Sequence, residues 1–478
     1  MTYMSLAYYA IVLVAVFLYY LLPKKSRWII LLSASGYFYY LVVSDTKQIL
    51  VFLFSIFVSY FAGVILEEHK EKWMLMLGIV FSILPLFLYR MITLIQGTIG
   101  YDVSFHLVIP IGISFYSLQM VSYLVDVYRK KTKAQRNIFK YGLFASFFPL
   151  IIQGPISRYD QIAPQLFEGH SYDEERFMKG IQLIIWGFFL KYMIADKASV
   201  FVNAIFADYE YYGGVYVWIA AILYSVQLYT DFLSCVTISQ GVAGLFGIDI
   251  MDNFARPYFA TSIKDFWRRW HVSLSSWLRD YIYIPLGGNR KGKVSKYKNL
   301  MITFLISGLW HGGSWKYIVW GGMHAGYQIV GELCEDKRNQ FMEKGHFPKG
   351  SQTRIILSRL GTFLLVMFTW VIFRADSLKA GAEMILSMFT TFNPWALFDY
   401  SLFGFGLLKE DFLVLCLAIF VLILIEILQE KGFVMRDWFA KQNLVVRWGI
   451  YLCAIWSIWI MGTYGFGFNA ADFIYGGF

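Results

Sequence analysis

The residues LAYYAIVLVAVFLYYLL at positions 6–22 carry no charge, and they approach the length of about 20 residues that a helix needs to cross a membrane. Lys24, Lys25 and Arg27 follow this run, whereas no basic segment precedes it. This order predicts a first membrane helix rather than a cleavable signal peptide. Because basic loops stay in the cytoplasm, it also predicts an extracytoplasmic N-terminus and a cytoplasmic first loop.

Similar apolar blocks recur along the whole chain of 478 residues, of which 58% are hydrophobic and only 15% are charged. Soluble domains usually carry about 25% charged residues. The blocks lie near residues 6–22, 28–43, 48–66, 73–92, 106–128, 139–155, 178–195, 214–238, 298–311, 315–334, 356–374, 411–429 and 446–464. They predict an all-α polytopic membrane protein with about 11 transmembrane helices, plus re-entrant helices between positions 145 and 310, where several blocks are short or broken. We expect one membrane domain over 1–478, with N-terminal helices in 1–135, a catalytic core in 136–335 and C-terminal helices in 336–478.

The charge of the chain fits the same interpretation. It has 42 basic and 32 acidic residues, which gives a net charge of +10. In the first half, eleven basic residues fall in the predicted inside loops and two fall outside or at a helix end. We therefore expect a multi-pass protein of the plasma membrane, surrounded by lipid and without a nucleic-acid partner. The four cysteines lie far apart without metal-ligand spacing, so no bound metal is expected.

Residues 263–284 carry apolar side chains at steps of three and four positions. At about 100° per residue these side chains form one stripe, with charged residues such as Lys264 and Arg279 on the opposite face. The pattern predicts one amphipathic helix at the membrane interface or at the rim of a cavity. His271 falls at the edge of the stripe. A helix that merely packs explains the periodicity, but it does not explain a histidine at this boundary.

His311 lies in an apolar stretch, ISGLWHGGSW, at positions 306–315. An ionisable residue at membrane depth is costly, and it is therefore a functional candidate. Gly308, Gly312 and Gly313 are expected to loosen the helix and to allow close approach of a substrate or backbone. Burial disfavours a charged imidazole, so His311 is expected to be neutral at pH 7 and able to accept a proton. From the residues alone, a hydrogen-bonded structural histidine is an equally good interpretation.

Other polar residues fall in or beside apolar segments. His324, in the next span, is a third candidate, although a histidine that only links helices is the commoner case. Asp126 and Asp231 suit a proton path or an orienting contact to a histidine, but more commonly such residues form polar links between helices.

The loop PLGGNRKGK at 285–293, which contains Asn289 and Arg290, is basic and glycine-rich. Such a loop can bind the pyrophosphate of CoA through backbone N–H groups and cations, or it can simply be a cytoplasmic loop of the positive-inside type. No Walker A, GxSxG or HExxH motif occurs in the chain, so a covalent serine mechanism has no support.

Long motifs in the centre of the chain resemble those of the membrane-bound O-acyltransferase (MBOAT) family, and most closely its alginate O-acetyltransferase branch. These motifs are NFARPY (253–258), DFWRRWHVSLS (265–275), LRDYIYIPLGGNR (278–290) and GLWHG (308–312). Shorter family-like segments are FP (148–149), GPISRY (154–159), APQL (163–166) and WVIFRA (370–375), so the resemblance extends over most of the chain.

The resemblance implies roles for individual residues. It makes His311 the catalytic histidine and His271 the second histidine of the active site, inside a fold whose helices surround a central tunnel. From their positions in the sequence, and not from the resemblance, Trp310, Asp231 and His324 are expected to line that tunnel or to take part in a relay. Asn289 and Arg290, in the basic glycine-rich loop, are likewise the expected binding residues for the donor.

Two positions depart from the branch. Thr237 stands where the branch usually has a second acidic residue after Asp231. Near the C-terminus, Gly476 and Gly477 replace a bulkier pair after Tyr475. Tyr475 itself resembles a terminal tyrosine of the branch, and we expect it to act either as an acyl relay or as an aromatic anchor at the membrane interface.

The resemblance implies an O-acyltransferase that moves an acyl group, expected to be acetyl, from a cytoplasmic thioester to a hydroxyl of an extracytoplasmic polysaccharide or a relay partner. His311 is the expected general base. Acetyl-CoA is the expected donor, no cofactor is expected to stay bound, and an SGNH-type acyltransferase, secreted or membrane-anchored, is the expected partner. The alternatives are D-alanyl transfer to teichoic acid, a proton-coupled transporter or flippase, and a membrane scaffold without chemistry. Inverted repeats would favour a transporter, and the sequence shows none.

Overall fold

The computed structural model of the chain describes residues 3–43, 45–100 and 110–464. Within these ranges the regular structure is entirely helical. The first five helices are α1 (Leu6–Leu21), α2 (Arg27–Val42), α3 (Thr46–Glu68), α4 (Lys72–Ile99) and α5 (Ile113–Tyr128). They overlap the first five predicted spans, but α4 extends to Ile99, beyond the predicted end at 92. α5 begins at Ile113 rather than at 106, because residues 110–112 are not helical and residues 106–109 fall outside the described residues.

The middle of the chain forms ten helices of very unequal length. They are α6 (Ile138–Ser146), α7 (Tyr159–Glu168), α8 (Glu174–Phe188), α9 (Asp196–Ala207), α10 (Tyr209–Tyr212), α11 (Gly214–Leu245), α12 (Ile263–Arg269), α13 (Val272–Leu278), α14 (Gly292–His311) and α15 (Trp315–Leu333). A π-helical segment at 189–195 joins α8 to α9, and a second one at 279–283 continues α13. Short helices therefore concentrate where the apolar blocks of the sequence are broken.

The predicted span near 139–155 is wrong as a continuous helix. α6 ends at Ser146, and residues 147–158 form irregular backbone that is almost entirely buried. Pro149 explains the end of the helix, because proline lacks an N–H and disfavours helical backbone at the residue before it. Irregular backbone of this kind is tolerated at membrane depth only where protein surrounds it.

The C-terminal third, as far as residue 464, contains six α-helices. They are α16 (Glu335–Lys344), α17 (Gln352–Arg374), α18 (Leu378–Thr390), α19 (Lys409–Glu430), α20 (Met435–Ala440) and α21 (Leu444–Met461). α16 lies between the predicted spans 315–334 and 356–374. α18 was not among the predicted spans, because its 13 residues are too few to cross a membrane.

Seven helical stretches within the described residues are long and apolar enough to cross a membrane. They are Thr46–Glu68, Lys72–Ile99, Glu174–Ala207, Gly214–Leu245, Gln352–Arg374, Lys409–Glu430 and Leu444–Met461. The predicted class, an all-α polytopic membrane protein, is confirmed. The predicted total of about 11 spans stays a prediction.

α11 is the central helix of the molecule, and most of its apolar stretch is buried. It packs closely against α8 where Gly180 faces Gly241. A Cβ atom added at either glycine would come within 2.7 Å of the other's carbonyl oxygen. Small residues are what allow two helix backbones to approach this closely.

The buried apolar side chains form two clusters. One combines α1–α7 with the end of α11, α13 and the Trp310 side chain. The other combines α9, the earlier part of α11, α12, α15 and α17–α19. Trp270 belongs to the second cluster and Leu274 to the first, so the chain passes from one cluster to the other at His271.

Candidate functional site

His271 lies at a break between α12 and α13, so the prediction of one continuous helix over 263–284 is wrong. α12 ends at Arg269, and His271 has a φ angle of 44°, in the left-handed region. This conformation is unfavourable for a residue with a Cβ atom, so the surrounding structure must impose it. The sequence periodicity could not reveal the break, because both halves keep helical spacing and only two residues leave the helix.

The segment 253–255, which we call the strap, explains how the break is held. The Ala255 amide donates to the Arg269 carbonyl at 2.9 Å, and the Val272 amide donates to the Asn253 carbonyl at 2.9 Å. The strap therefore supplies backbone partners on both sides of the break. Its sequence lies in a family-like motif, but sequence analysis did not single out Asn253. The signal in the sequence that could have identified Asn253 is its amide side chain, which stands beside Phe254 shortly before the amphipathic segment.

The break turns the His271 side chain fully inward, and none of its surface is exposed. Sequence analysis had placed it beside the polar face of a single helix. Its Nδ1 atom lies 3.2 Å from Oδ1 of Asn253. The Phe232 ring meets the imidazole edge-on, with 4.8 Å between the ring centroids. His271 is thus held on one side by a hydrogen bond and on another by an aromatic ring.

His311 is the last residue of α14, and the extended backbone of Gly312 ends the helix. Three aromatic rings surround the imidazole at steep angles. The centroid distances are 4.8 Å to Trp310, 5.0 Å to Trp320 and 5.6 Å to Phe373. Only 2% of His311 is exposed, so a substrate can reach it only if neighbouring side chains move.

The glycines near His311 allow backbones to approach α14. A side chain at Gly308 would collide with the carbonyl oxygen of Tyr317, and one at Gly312 would collide with the Tyr317 ring. Gly313 is packed in the same way against the backbone of Arg90 on α4. The close approach agrees with the expectation from sequence. α14 stays helical through Gly308 and ends at Gly312, so the helix is interrupted at the second and third of these glycines and not at the first.

Trp310 connects the two histidines. Its ring centroid lies 6.1 Å from that of His271 and 4.8 Å from that of His311. The indole N–H donates to the Ser114 carbonyl at 2.9 Å, which anchors the ring to α5. Two histidines that lie 40 positions apart in sequence therefore share one buried aromatic side chain.

His324 is also fully buried, but it uses both of its nitrogens. The Trp267 indole N–H donates to Nδ1 at 3.2 Å, so this nitrogen carries no proton in the neutral ring. Nε2 must then carry the proton and donate to the Thr369 hydroxyl oxygen at 3.0 Å, and that hydroxyl donates onward to Val366. The side chain thereby links α12, α15 and α17.

Both aspartates singled out by the sequence make polar links. Asp231 on α11 accepts from Lys191 of the π-helical segment at 2.7 Å, and the same ammonium group contacts Asp196 at 2.8 Å. All three side chains are only 2–3% exposed. Asp126 accepts from the Tyr281 hydroxyl at 2.8 Å, which ties α5 to the π-helical continuation of α13.

The remaining candidates have different surroundings. Asn289 and Arg290 lie exposed in the turn before α14, where Tyr283 donates a hydrogen bond to the Asn289 amide oxygen. Their exposure leaves them accessible to a soluble donor. Tyr475 lies outside the described residues.

Comparison with known proteins gives consistent results. The family model for MBOAT, the membrane-bound O-acyltransferase family, matches residues 37–374, which include both site histidines. A probable alginate O-acetylase of Pseudomonas putida is 35% identical over 403 residues, covering 80% of this chain and 78% of that protein. A peptidoglycan O-acetyltransferase of Helicobacter pylori is 31% identical and covers 77% of this chain and 74% of its own length. A teichoic acid D-alanyltransferase of Bacillus subtilis is 28% identical and covers 62% of this chain and 76% of its own length.

Proposed function

Since this chain belongs to the membrane-bound O-acyltransferase family, we propose that it transfers an acetyl group from a cytoplasmic thioester, acetyl-CoA, to a hydroxyl of an extracytoplasmic polysaccharide. The family makes the protein a multi-pass membrane acyltransferase. The acetyl group, the polysaccharide and the catalytic roles of the residues belong to the proposal. A secreted or membrane-anchored SGNH-type acyltransferase is the proposed partner where the hydroxyl is not acylated directly.

The observation that carries the proposal is the pairing of two buried histidines on one indole. His271 lies at the break between α12 and α13 and His311 ends α14, and both contact the Trp310 ring. Both imidazoles are shielded from solvent. Exclusion of water suits a thioester reaction, because water would otherwise compete with the hydroxyl for the acyl group.

In the proposed reaction His311 acts as a general base. It accepts the hydroxyl proton while the oxygen attacks the thioester carbonyl, and the C–S bond then breaks to release the CoA thiolate. The thiolate takes up a proton, so the reaction consumes none overall. General-base catalysis of this kind contributes roughly 10²–10⁴-fold to the rate.

The donor is proposed to bind at the turn before α14. Asn289 and Arg290 are exposed there, and Lys291 and Lys293 follow directly. A basic turn next to a helix N-terminus suits the phosphates of CoA. We propose that this end of α14 faces the cytoplasm, as expected from the distribution of basic loops, and that His311 at its other end meets the hydroxyl.

The proposed acyl group follows from the relatives. The O-acetylating proteins are 31–35% identical and cover more than three quarters of this chain, whereas the D-alanyltransferase is 28% identical and covers 62%. D-alanyl transfer to teichoic acid is therefore kept as an alternative that the experiment must distinguish.

The test uses the purified protein in liposomes with acetyl-CoA that carries a labelled acetyl group, and with alginate oligosaccharide as the hydroxyl probe. We expect labelled ester on the oligosaccharide, and a rate about 10²–10⁴-fold lower for His311→Ala. His69→Ala, at an exposed position, is the matched control and should match the wild type. Normal transfer by a folded His311→Ala protein would refute the role of His311. Transfer of D-alanine but not acetyl from a thioester would refute the proposed acyl group.

A further inference from the structure

We infer that Asn253 is a positioning residue that fixes the tautomer of His271, and that His271 consequently accepts a hydrogen bond from the hydroxyl substrate rather than donating one to the thioester carbonyl. This inference rests on the proposed function. It identifies which of the two substrates His271 holds, a question that the sequence left open.

The orientation of the Asn253 amide is determined by a neighbouring backbone group. The Ser273 amide nitrogen lies 3.0 Å from Oδ1 of Asn253. A backbone N–H can only donate, so the atom that faces it must be the amide oxygen and not the NH2 group. The side chain of Asn253 is 1% exposed, which leaves it little room to rotate away.

The orientation of Asn253 determines the protonation of His271. Nδ1 of His271 lies 3.2 Å from the same oxygen, which can only accept, so Nδ1 must carry a proton. A neutral imidazole has one N–H, and Nε2 is therefore an acceptor with a lone pair. Nε2 is buried and has no hydrogen-bond partner among the residues that the structure describes. Such an atom at a candidate active site indicates a place for a ligand group.

The chemistry of Nε2 selects the substrate. A lone pair can accept from an O–H or N–H group, but it repels the carbonyl oxygen of a thioester, which has no proton to offer. The reacting hydroxyl has one hydrogen, which His311 takes in the proposed reaction. The hydrogen that Nε2 accepts therefore belongs to a second hydroxyl, which a sugar carries next to the one being acylated. An amide N–H of the CoA arm is the competing source, and the kinetic test distinguishes the two.

The tautomer can be measured without any catalytic assay. The chain has 7 histidines, and ¹⁵N NMR of histidine-labelled protein distinguishes protonated from unprotonated ring nitrogens. The His271 signals are identified by their loss in His271→Gln. We expect protonated Nδ1 and unprotonated Nε2 in the wild type and in Asn253→Asp, which keeps an accepting oxygen. Asn253→Leu should show a mixture of tautomers. A wild-type His271 protonated at Nε2 would overturn the inference.

The kinetic test separates the two substrates. We expect Asn253→Leu to raise the KM for alginate oligosaccharide about tenfold while the KM for acetyl-CoA stays unchanged, because roughly one hydrogen bond is lost. Asn253→Asp should restore most of the affinity. Asn393→Leu is the matched control: this buried asparagine accepts from one backbone amide, as Asn253 does, and it donates to one carbonyl. Its loss should leave both KM values unchanged.

Failure of this inference and failure of the proposed acetyl transfer give different experimental results. A wild-type protein that transfers no acetyl but shows the expected tautomer refutes the function and leaves the role of Asn253 in place. A rise in the KM for acetyl-CoA instead of the oligosaccharide assigns Nε2 to the donor and overturns the inference. Should Asn253→Leu fail to fold, the wild-type spectrum still decides the tautomer, and the two KM values of His271→Gln decide which substrate Nε2 holds.

Discussion

His271 and His324 are both completely buried among aromatic side chains, yet they differ in how their nitrogens are used. Both nitrogens of His324 have hydrogen-bond partners within the protein, whereas His271 has a partner at Nδ1 and none at Nε2 among the described residues. Burial alone therefore does not distinguish the two histidines. They differ in the hydrogen-bonding capacity that the protein leaves unused, which our proposal assigns to a substrate.

The backbones of the two histidines differ in the same way. His324 lies inside the regular helix α15 and links it to α12 and α17. His271 occupies a strained left-handed position that the strap, residues 253–255, must maintain. Strain of this kind typically costs about 1–3 kcal/mol, and proteins usually keep it where it places a functional group.

The largest expected effect tests whether a buried, ion-paired cluster is structural. Lys191→Met removes the cation that holds Asp196 and Asp231. We expect a loss of about 3–5 kcal/mol of stability, because two buried carboxylates then lack their counter-charge. Thermal unfolding of the detergent-solubilised protein measures it, with the exposed Lys441→Met as control. An unchanged unfolding midpoint would contradict a structural role for the cluster.

The next effect concerns rate rather than stability. His271→Gln should lower kcat/KM for acetyl transfer to alginate oligosaccharide about tenfold, because the proposed hydrogen bond from the hydroxyl substrate loses its imidazole acceptor. The unfolding midpoint should change little. His346→Gln, at an exposed position, serves as control. If the variant loses stability but keeps its rate, His271 belongs in the same class as His324, and the contrast between them disappears.

The converse is expected for His324. His324→Phe fills the space but leaves the Trp267 indole N–H and the Thr369 hydroxyl without their partner. We expect a loss of about 1–3 kcal/mol of stability with little change in the rate per folded molecule. His324→Gln can donate and accept, so it should recover part of the loss. A rate reduced as much as in His271→Gln would show that His324 takes part in the reaction.

The smallest expected effect concerns the ion pairs of Glu430 next to the break between α12 and α13. Glu430 on α19 accepts from Arg256 at 2.7 Å and from Arg269 at 3.0 Å, and Arg269 ends the helix just before His271. Because these groups are partly exposed, Glu430→Gln should cost only about 1 kcal/mol of stability. Added salt should reduce the difference from the wild type. An effect as large as that of Lys191→Met would show that this ion network is much less hydrated than its exposure indicates.

The helices that cross or nearly cross the membrane were predictable because their signal is local. Runs such as 48–66 and 411–429 are predominantly apolar, and the helices α3 and α19 extend only a few residues beyond them. In lipid the backbone must satisfy its own hydrogen bonds, so an apolar run of this length has few alternatives to a helix. The predicted span at 139–155 is not a continuous helix, because Pro149 disfavours helical backbone there. The irregular backbone that follows is tolerated because protein, and not lipid, surrounds it.

The amphipathic segment 263–284 was predicted only in part. Its apolar residues do face the interior, but the helix breaks at His271 because the strap offers backbone partners from outside the segment. Helical periodicity reports which side chains are buried, and it carries no information about partners that come from a distant part of the chain. Asn253 was overlooked for this reason, since its role depends on the Ser273 amide and the His271 ring, about 20 positions away.

The sequence by itself determined the membrane class, most of the long helices and the candidate histidines, because apolar runs and motifs are properties of contiguous residues. Only the tertiary structure decided that His271 and His311 share the Trp310 ring, that His324 has both nitrogens engaged, and that Asp231 pairs with Lys191. Hydrogen bonds and ring contacts act over a few ångströms between residues far apart in the chain. Their partners therefore become known only once the helices have packed.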